Sequence, residues 1–194
     1  MPTKPPHPLR GSSLSPPSWI ELTSLDLQRH RLVKGASLPV ETVSWEDAQA
    51  FLAKLNEKQI LPKGWKFALP TEAQWEYGCR SGERGSYCGG RLDDVGWYFD
   101  NSGHSIHEVR QKKPNASGLF DMHGNVEEWC ADWYDIELKG GADPAGPSSG
   151  EYRVSRGGSY GSLPDFCRAA SRDDDLPDTQ NHYRGFRIAL IPSS

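Results

Sequence analysis

The sequence predicts an α+β protein, and three observations carry that expectation. Two capped amphipathic helices fall early in the chain, whereas most short apolar stretches that read as strands fall later. Gly 20 and Pro 15 give many turns and few long regular elements. No internal repeat and no heptad pattern is present, which excludes solenoids and coiled coils.

The elements follow in order. Residues 1–18 are rich in Pro and Ser and read as a flexible segment, leaving residues 19–194 as one domain. Trp19, Ile20, Leu22, Leu25, Leu27 and Leu32 alternate poorly and read as cover for a core edge. The stretch VSWEDAQAFLAKLNEK is the first clear helix. Ser44 and Asp47 have capping-box spacing, and Trp45, Ala48, Phe51, Leu52 and Leu55 form one apolar face ending near Lys58. KFALPTEAQWEYGCRSG gives a short strand and a second helix capped by Thr71 and Gln74, with Ala73, Trp75, Tyr77 and Gly78 packing inward or closing the turn. Residues 82–118 are loop-rich and anchored by Tyr87, Trp97, Tyr98 and Phe99. GLFDMHGNVEEWCADWY is a Trp-rich core segment, and residues 139–150 read as a surface loop. YRVSRGGS and GFRIAL read as two strands flanking an irregular segment.

Composition narrows the function. Net charge is −4, which argues against nucleic-acid binding. No apolar run has the length of a membrane span, and the first residues lack a signal peptide's apolar stretch. A cytoplasmic home is the default, with surface display the alternative. Cys79, Cys88, Cys130 and Cys167 contain no C-x-x-C pair, so buried free thiols are expected rather than a zinc site.

Five stretches, PVETVSWEDAQAF, ALPTEAQWEYGCRSG, KKPNASGLFDMHGNVEEWCADWY, YRVSRGGSY and GFRIAL, together resemble the formylglycine-generating-enzyme (sulfatase-modifying factor) family. The resemblance covers about residues 39–190 and implies a C-type lectin fold, with two helices packed on small twisted antiparallel sheets. The family's founding enzymes use a cysteine pair a few residues after GGS, with copper. Here residues 160–166 contain no cysteine, and the first expected one falls at about Ser162. No redox cofactor is therefore expected. Members of the fold that carry a histidine-built iron site offer a second enzymatic reading. His104 and His107 have H-x-x-H spacing but lie on a Gly-containing loop, and solvated histidines are the simpler reading.

A non-catalytic branch fits the C-terminal segment better. Its frame is similar to that of the variable proteins of diversity-generating retroelements, in which adenine-directed mutagenesis rewrites Asn codons to NNY. Such codons cannot encode Lys, Glu, Gln, Met or Trp. The fixed frame is read as Arg156, Gly157, Gly158, Ser159, Cys167, Arg168, Ala169, Ala170, Arg172, Pro177, Asp178, Gly185, Phe186 and Arg187, with Pro164 and Gln180 added. The filling is Ser155, Tyr160, Gly161, Ser162, Leu163, Asp165, Phe166, Ser171, Asp173, Asp174, Asp175, Leu176, Thr179, Asn181, His182, Tyr183 and Arg184, and all of it is NNY-compatible. The resemblance thus implies a hypervariable ligand-binding surface within about residues 152–190, whose partner is a protein or surface ligand of unknown identity. The alternatives are an ordinary family loop that has lost its cysteines, a formylglycine-generating-enzyme-like oxidoreductase, a metal-dependent sulfur-chemistry enzyme, or a structural module of a larger assembly. The retained arginines 156, 168, 172 and 187 are expected to pair with carboxylates or carbonyls beneath the surface. Asp173 to Asp175 are expected to form a solvated, self-repelling loop.

The same resemblance implies a structural Ca²⁺ in DMHGNVEEW, with carboxylate oxygens from Asp121 and Glu128 and carbonyls from Gly124 and Val126. The alternative is that these carboxylates cap turns without metal.

Overall fold

A computed structural model describes residues 37–138, 140–141 and 144–193. The expected flexible segment and the apolar residues 19–32 lie outside the described residues.

Helix α1 spans Trp45–Glu57, and its capping box joins Ser44 and Asp47 in both directions. Ala48, Phe51, Leu52 and Leu55 are buried on the expected face. Strand β1, Trp65–Ala68, follows, and then helix α2, Glu72–Arg80, capped reciprocally by Thr71 and Gln74. The Thr71 side chain satisfies a backbone N–H that the helix itself leaves open. Thr71→Ala is expected to lower stability by about 1 kcal/mol, measurable as a shift in urea midpoint at constant m-value.

The inward face of α2 differs from expectation. Glu72, Trp75, Gly78 and Cys79 are buried, whereas Tyr77 is 62% exposed. Residue 77 follows Trp75 by two positions, so it points away from the buried stripe.

A short helix α3, Leu92–Val95, leads into β2, Gly96–Trp97, which pairs in parallel with β3, His123–Gly124. The Trp-rich segment forms β4, Glu127–Trp133. Strands β5, Arg153–Arg156, β6, Arg172–Asp175, and β7, Arg184–Gly185, join it in the order β6-β5-β4-β7. Strand β8, Ala189–Pro192, pairs antiparallel with β1.

Three strand assignments correct the sequence reading. The sheets are not all antiparallel: β2–β3 is a parallel pair, and the four-stranded sheet is mixed because β4–β7 runs parallel. GFRIAL is divided between two sheets: Gly185 closes β7 and Ala189 opens β8. Asp173 to Asp175 form an edge strand paired with β5 rather than a loop. Like charges are tolerated there because the segment gains β5 as a partner and Arg184 as a counter-charge.

Trp129 lies at the centre of the core, fully buried against α1 and β1. Its indole N–H donates to the Val43 carbonyl at 3.0 Å, and that of Trp45 donates to the Cys130 carbonyl at 2.9 Å. These bonds join α1 and the residue preceding its cap to β4 while satisfying the polar end of each indole. Arg153 lies between the rings of Trp45 and Trp133, 3.7 and 3.3 Å from their centroids.

Candidate ligand-binding surface

The segment after β5 begins with two glycines at positive φ. Gly157 and Gly158 have φ of +98° and +68°, and a Cβ on Gly158 would lie 2.8 Å from the Cys167 sulfur. Beyond them the chain runs through a short 3-10 turn, Pro164–Cys167, to β6.

Arginines fix this path from below. Arg156 is fully buried. It donates to the Glu76 carboxylate and to the carbonyls of Ala169, at 3.0 Å, and Ser171. Arg172 holds Glu72 through two bonds of 2.5 and 2.8 Å. Arg187 holds Glu128 through two bonds of 2.5 and 2.8 Å and donates to the Phe120 carbonyl. Paired charges at two atoms per partner resist rotation, so these contacts set orientation as well as energy. Arg168 departs from the expectation in its exposure: half of its side chain is exposed, and it pairs at the surface with the Asp165 carbonyl at 2.9 Å and the Asp165 carboxylate at 3.9 Å.

The far side of the segment is tied to α1. Gln180 donates to Asp47 at 2.8 Å, Glu46 N–H to the Pro177 carbonyl, and Thr42 N–H to the Asn181 carbonyl. Asp47 has its acidity strengthened first by the Ser44 N–H and then by Gln180.

Between these anchors the filling divides by exposure. Leu163 (54%), Phe166 (59%), Leu176 and Tyr183 are exposed apolar side chains, and Asp165 and His182 are exposed as well. Gly161, Ser162, Ser171, Asp174, Asp175, Thr179 and Asn181 are half-buried, while Asp173 is exposed. The Tyr183 ring lies 4.9 Å from that of Tyr160 and 4.0 Å from that of His182. A Cβ on Gly161 would meet the Tyr183 ring at 2.6 Å, so residues 161 and 183 are sterically coupled.

Three filling residues are not on the surface. Ser155 is completely buried because β5 is an inner strand of its sheet, and its hydroxyl has no hydrogen-bond partner in the described structure. Tyr160 is buried beneath the segment, held by its N–H to the Asn125 carbonyl and by the Ser102 hydroxyl on its own carbonyl. Arg184 is 3% exposed. From β7 it crosses the sheet over the Trp129 ring, meeting Glu127 at 2.8 Å, Asp175 at 2.7 Å and Asp173 at 3.5 Å. Burial pushes the Glu127 carboxyl up to about 7, opposed by Arg184.

Two residues outside the expected filling adjoin the surface. Phe99 is exposed rather than an anchor, its N–H bonds the Ser162 carbonyl at 3.0 Å, and its ring lies 4.8 Å from His104. An aromatic next to polar loop residues in YFDNSGH was the available signal. His107 instead stacks on Trp97 at 3.8 Å.

A cavity of about 330 Å³ opens elsewhere, between α2, the end of β4 and residues 135–138, 140 and 144–147. Of the segment 155–184 only Arg172 lines it. The exposed filling residues therefore form a face and not the wall of this cavity.

The carboxylates of the expected calcium set take unequal roles. Both Glu128 oxygens accept from Arg187, and Oε2 also accepts from the Trp75 indole at 2.6 Å. Asp121 has φ +54°, and its Oδ2 accepts from Arg110 N–H at 2.8 Å. Its Oδ1 is buried without a hydrogen-bond partner in the described structure, and desolvation raises its pKa. An orphaned carboxylate oxygen in a tight turn fits a hard cation. Gly124, which ends β3, and Val126 are buried just beyond it in the chain.

Small sheets, two capped helices and long anchored loops define a formylglycine-generating-enzyme-type protein of C-type lectin-like fold. The sulfatase-modifying factor enzyme 1-like domain matches residues 15–191, and the chain belongs to this family. It is 32% identical over 208 residues to the formylglycine-generating enzyme of Streptomyces coelicolor, a match covering 92% of this chain and 62% of the enzyme. The chain thus spans about three-fifths of that relative's length. Among solved structures, Treponema denticola variable protein 1 superposes with a TM-score of 0.76 and 32% identity, covering 84% of this chain and 77% of that one. PvdO from Pseudomonas aeruginosa superposes at 0.71 with 27% identity, covering 82% and 64%. Among the described residues no helix is long and apolar enough to cross a membrane.

Proposed function

We propose that the chain is a non-catalytic ligand-binding protein whose surface within residues 160–183 is diversified by a retroelement. The observation that carries this reading is the division within one segment. Arg156, Arg172 and Arg187 lock the frame from below, while Leu163, Asp165, Phe166 and His182 face solvent. Loops held on a rigid scaffold can change sequence without unfolding it. Similarity to a Treponema variable protein supports the same reading. A macromolecular surface is the favoured ligand, because these residues form a face outside the nearby cavity. The oxidoreductase alternative lacks a thiol where the family's pair would fall. Cys167, the next cysteine, is fully buried, and burial pushes its thiol up to about 12.

The direct test is the DNA flanking the gene. A near-copy of the segment encoding Tyr152 to Leu190, differing mainly at its adenines and lying beside a reverse-transcriptase gene, is the expected result. Absence of any such copy from the source genome would sink the proposal. A protein-level prediction accompanies it. Randomising Leu163, Phe166 and His182 with NNY codons should leave most clones folded, with single changes within about 0.5 kcal/mol of the parent. Protease resistance of the displayed library measures this. Intolerance at these positions equal to that at Arg184 would contradict it.

The family's calcium ion belongs to the same proposal. Asp121 Oδ1 is the ligand with capacity to spare, with Gly124 and Val126 supplying carbonyls and Glu128 shared with Arg187. The ion would supply positive charge to a buried carboxylate and rigidify the turn leading into β4. Calcium should raise Tm, EDTA should reverse the rise, and Asp121→Asn should abolish it. A wild-type Tm indifferent to calcium removes the ion from the proposal.

A further inference from the structure

We infer that Cys79, Cys88 and His123 form a buried site for one thiophilic d¹⁰ metal ion, Zn²⁺ or Cu⁺. Three separate segments bring them together: Cys79 from the last turn of α2, Cys88 from the loop that follows, and His123 from β3. The two sulfurs and one imidazole nitrogen all lie within 4.8 Å of one another. The Cys79 sulfur is 3.7 Å from His123 Nε2. A metal with bonds of about 2.3 Å to sulfur and 2.0 Å to nitrogen holds two such ligands about 3.6 Å apart. The observed separation therefore matches the edge of a coordination polyhedron.

The histidine is prepared for this role. Its Nδ1 lies 2.8 Å from the Cys167 carbonyl, an acceptor only, so Nδ1 carries the proton and the Nε2 lone pair faces the thiols. A ring N–H tied to a backbone carbonyl is the usual outer support of a metal-bound imidazole. The Cys88 N–H, 2.9 Å from Nε2, occupies that lone pair in the ion's absence and would turn to a coordinated sulfur when it binds.

Burial selects the ion. The cysteines and His123 are at most 1% exposed. Desolvation pushes both thiols up and the imidazole down. Binding replaces two S–H bonds by two metal–sulfur bonds and releases two protons, with no change of oxidation state. A doubly charged ion then leaves the site neutral, and a singly charged one leaves a single negative charge with Arg80 nearby. Soft sulfur ligands exclude Ca²⁺ and Mg²⁺. The cluster lies apart from residues 160–166, where the family's cysteine pair would fall.

The experiment uses the full chain, purified under reducing conditions and titrated separately with Zn²⁺ and Cu⁺ against chromophoric chelators. The expected result is one equivalent bound, with about two protons released per ion. Co²⁺ should give sulfur-to-metal absorption in the near ultraviolet. Cys88→Ser should lower affinity by more than about 100-fold with unchanged circular dichroism. Should Cys88→Ser fail to fold, the wild-type stoichiometry, proton count and Co²⁺ spectrum still decide. Four titratable thiols with no bound metal would overturn the site, as would a mass two hydrogens low with a Cys79–Cys88 disulfide. Preference for Zn²⁺ or for Cu⁺ in the competition names the ion.

Discussion

Arg184→Ala is expected to lower unfolding free energy by about 3–5 kcal/mol at pH 8. Three carboxylates lose their shared partner, but they are not equivalent. Asp173 and Asp175 have side chains 60% and 29% exposed and can rehydrate. Glu127, 11% exposed at its side chain, cannot, so it dominates the loss. The pH dependence identifies it. Burial raises the folded-state pKa of Glu127 from 4.5 to about 7, whereas the unfolded chain releases that proton earlier. The folded state binds more protons across that window, so this group's contribution to stability is full below about 4.5 and is lost as pH rises towards 7. Without Arg184 the carboxyl shifts higher still, because the cation that favours ionisation is gone. The variant's deficit should therefore shrink at pH 5, where Glu127 is neutral. Urea unfolding followed by tryptophan fluorescence at pH 5 and pH 8 measures both values. Equal deficits would show that packing, not the charge pair, is responsible. The functional consequence is that residue 184 acts as scaffold: an NNY change there removes the guanidinium that joins β7 to β4 and β6.

The second large effect is expected at Arg156. Glu72 keeps Arg172 and Glu76 keeps Arg80 when Arg156 is removed. The cost lies elsewhere, in the orphaned carbonyls of Ala169 and Ser171 and the void beside Trp75. Arg156→Ala should cost at least about 3 kcal/mol, a fall in Tm of about 6–12 °C. Arg156→Lys retains the charge but not the fork that spans both carbonyls and Glu76, and should recover less than half of the loss. Scanning calorimetry separates the two variants. Full rescue by lysine would mean that charge alone is required at this position. Because Ala169 and Ser171 sit within the displayed segment, loss of Arg156 should also loosen the surface, detectable as faster amide exchange from 160 to 176.

Much of this molecule was legible because the relevant signals are local. The caps at Ser44–Asp47 and Thr71–Gln74, the buried stripe of α1 and the paired glycines at 157–158 each depend on residues within a turn or two of one another. The sequence by itself also determined family membership and the retained arginines whose partners had to exist somewhere. Tertiary structure decided the rest. Arg184 belongs to the scaffold only because Glu127, 57 residues away, is buried beside it. The acidic run at 173–175 became a strand because β5 offered a partner and Arg184 a counter-charge. Tyr77 and Phe99 are exposed, and Cys79, Cys88 and His123 converge, because folding sets these distances between segments. Residue type states what a side chain can pair with; which pairing occurs depends on contacts made across the whole chain, where burial determines whether an unpaired charge can be tolerated.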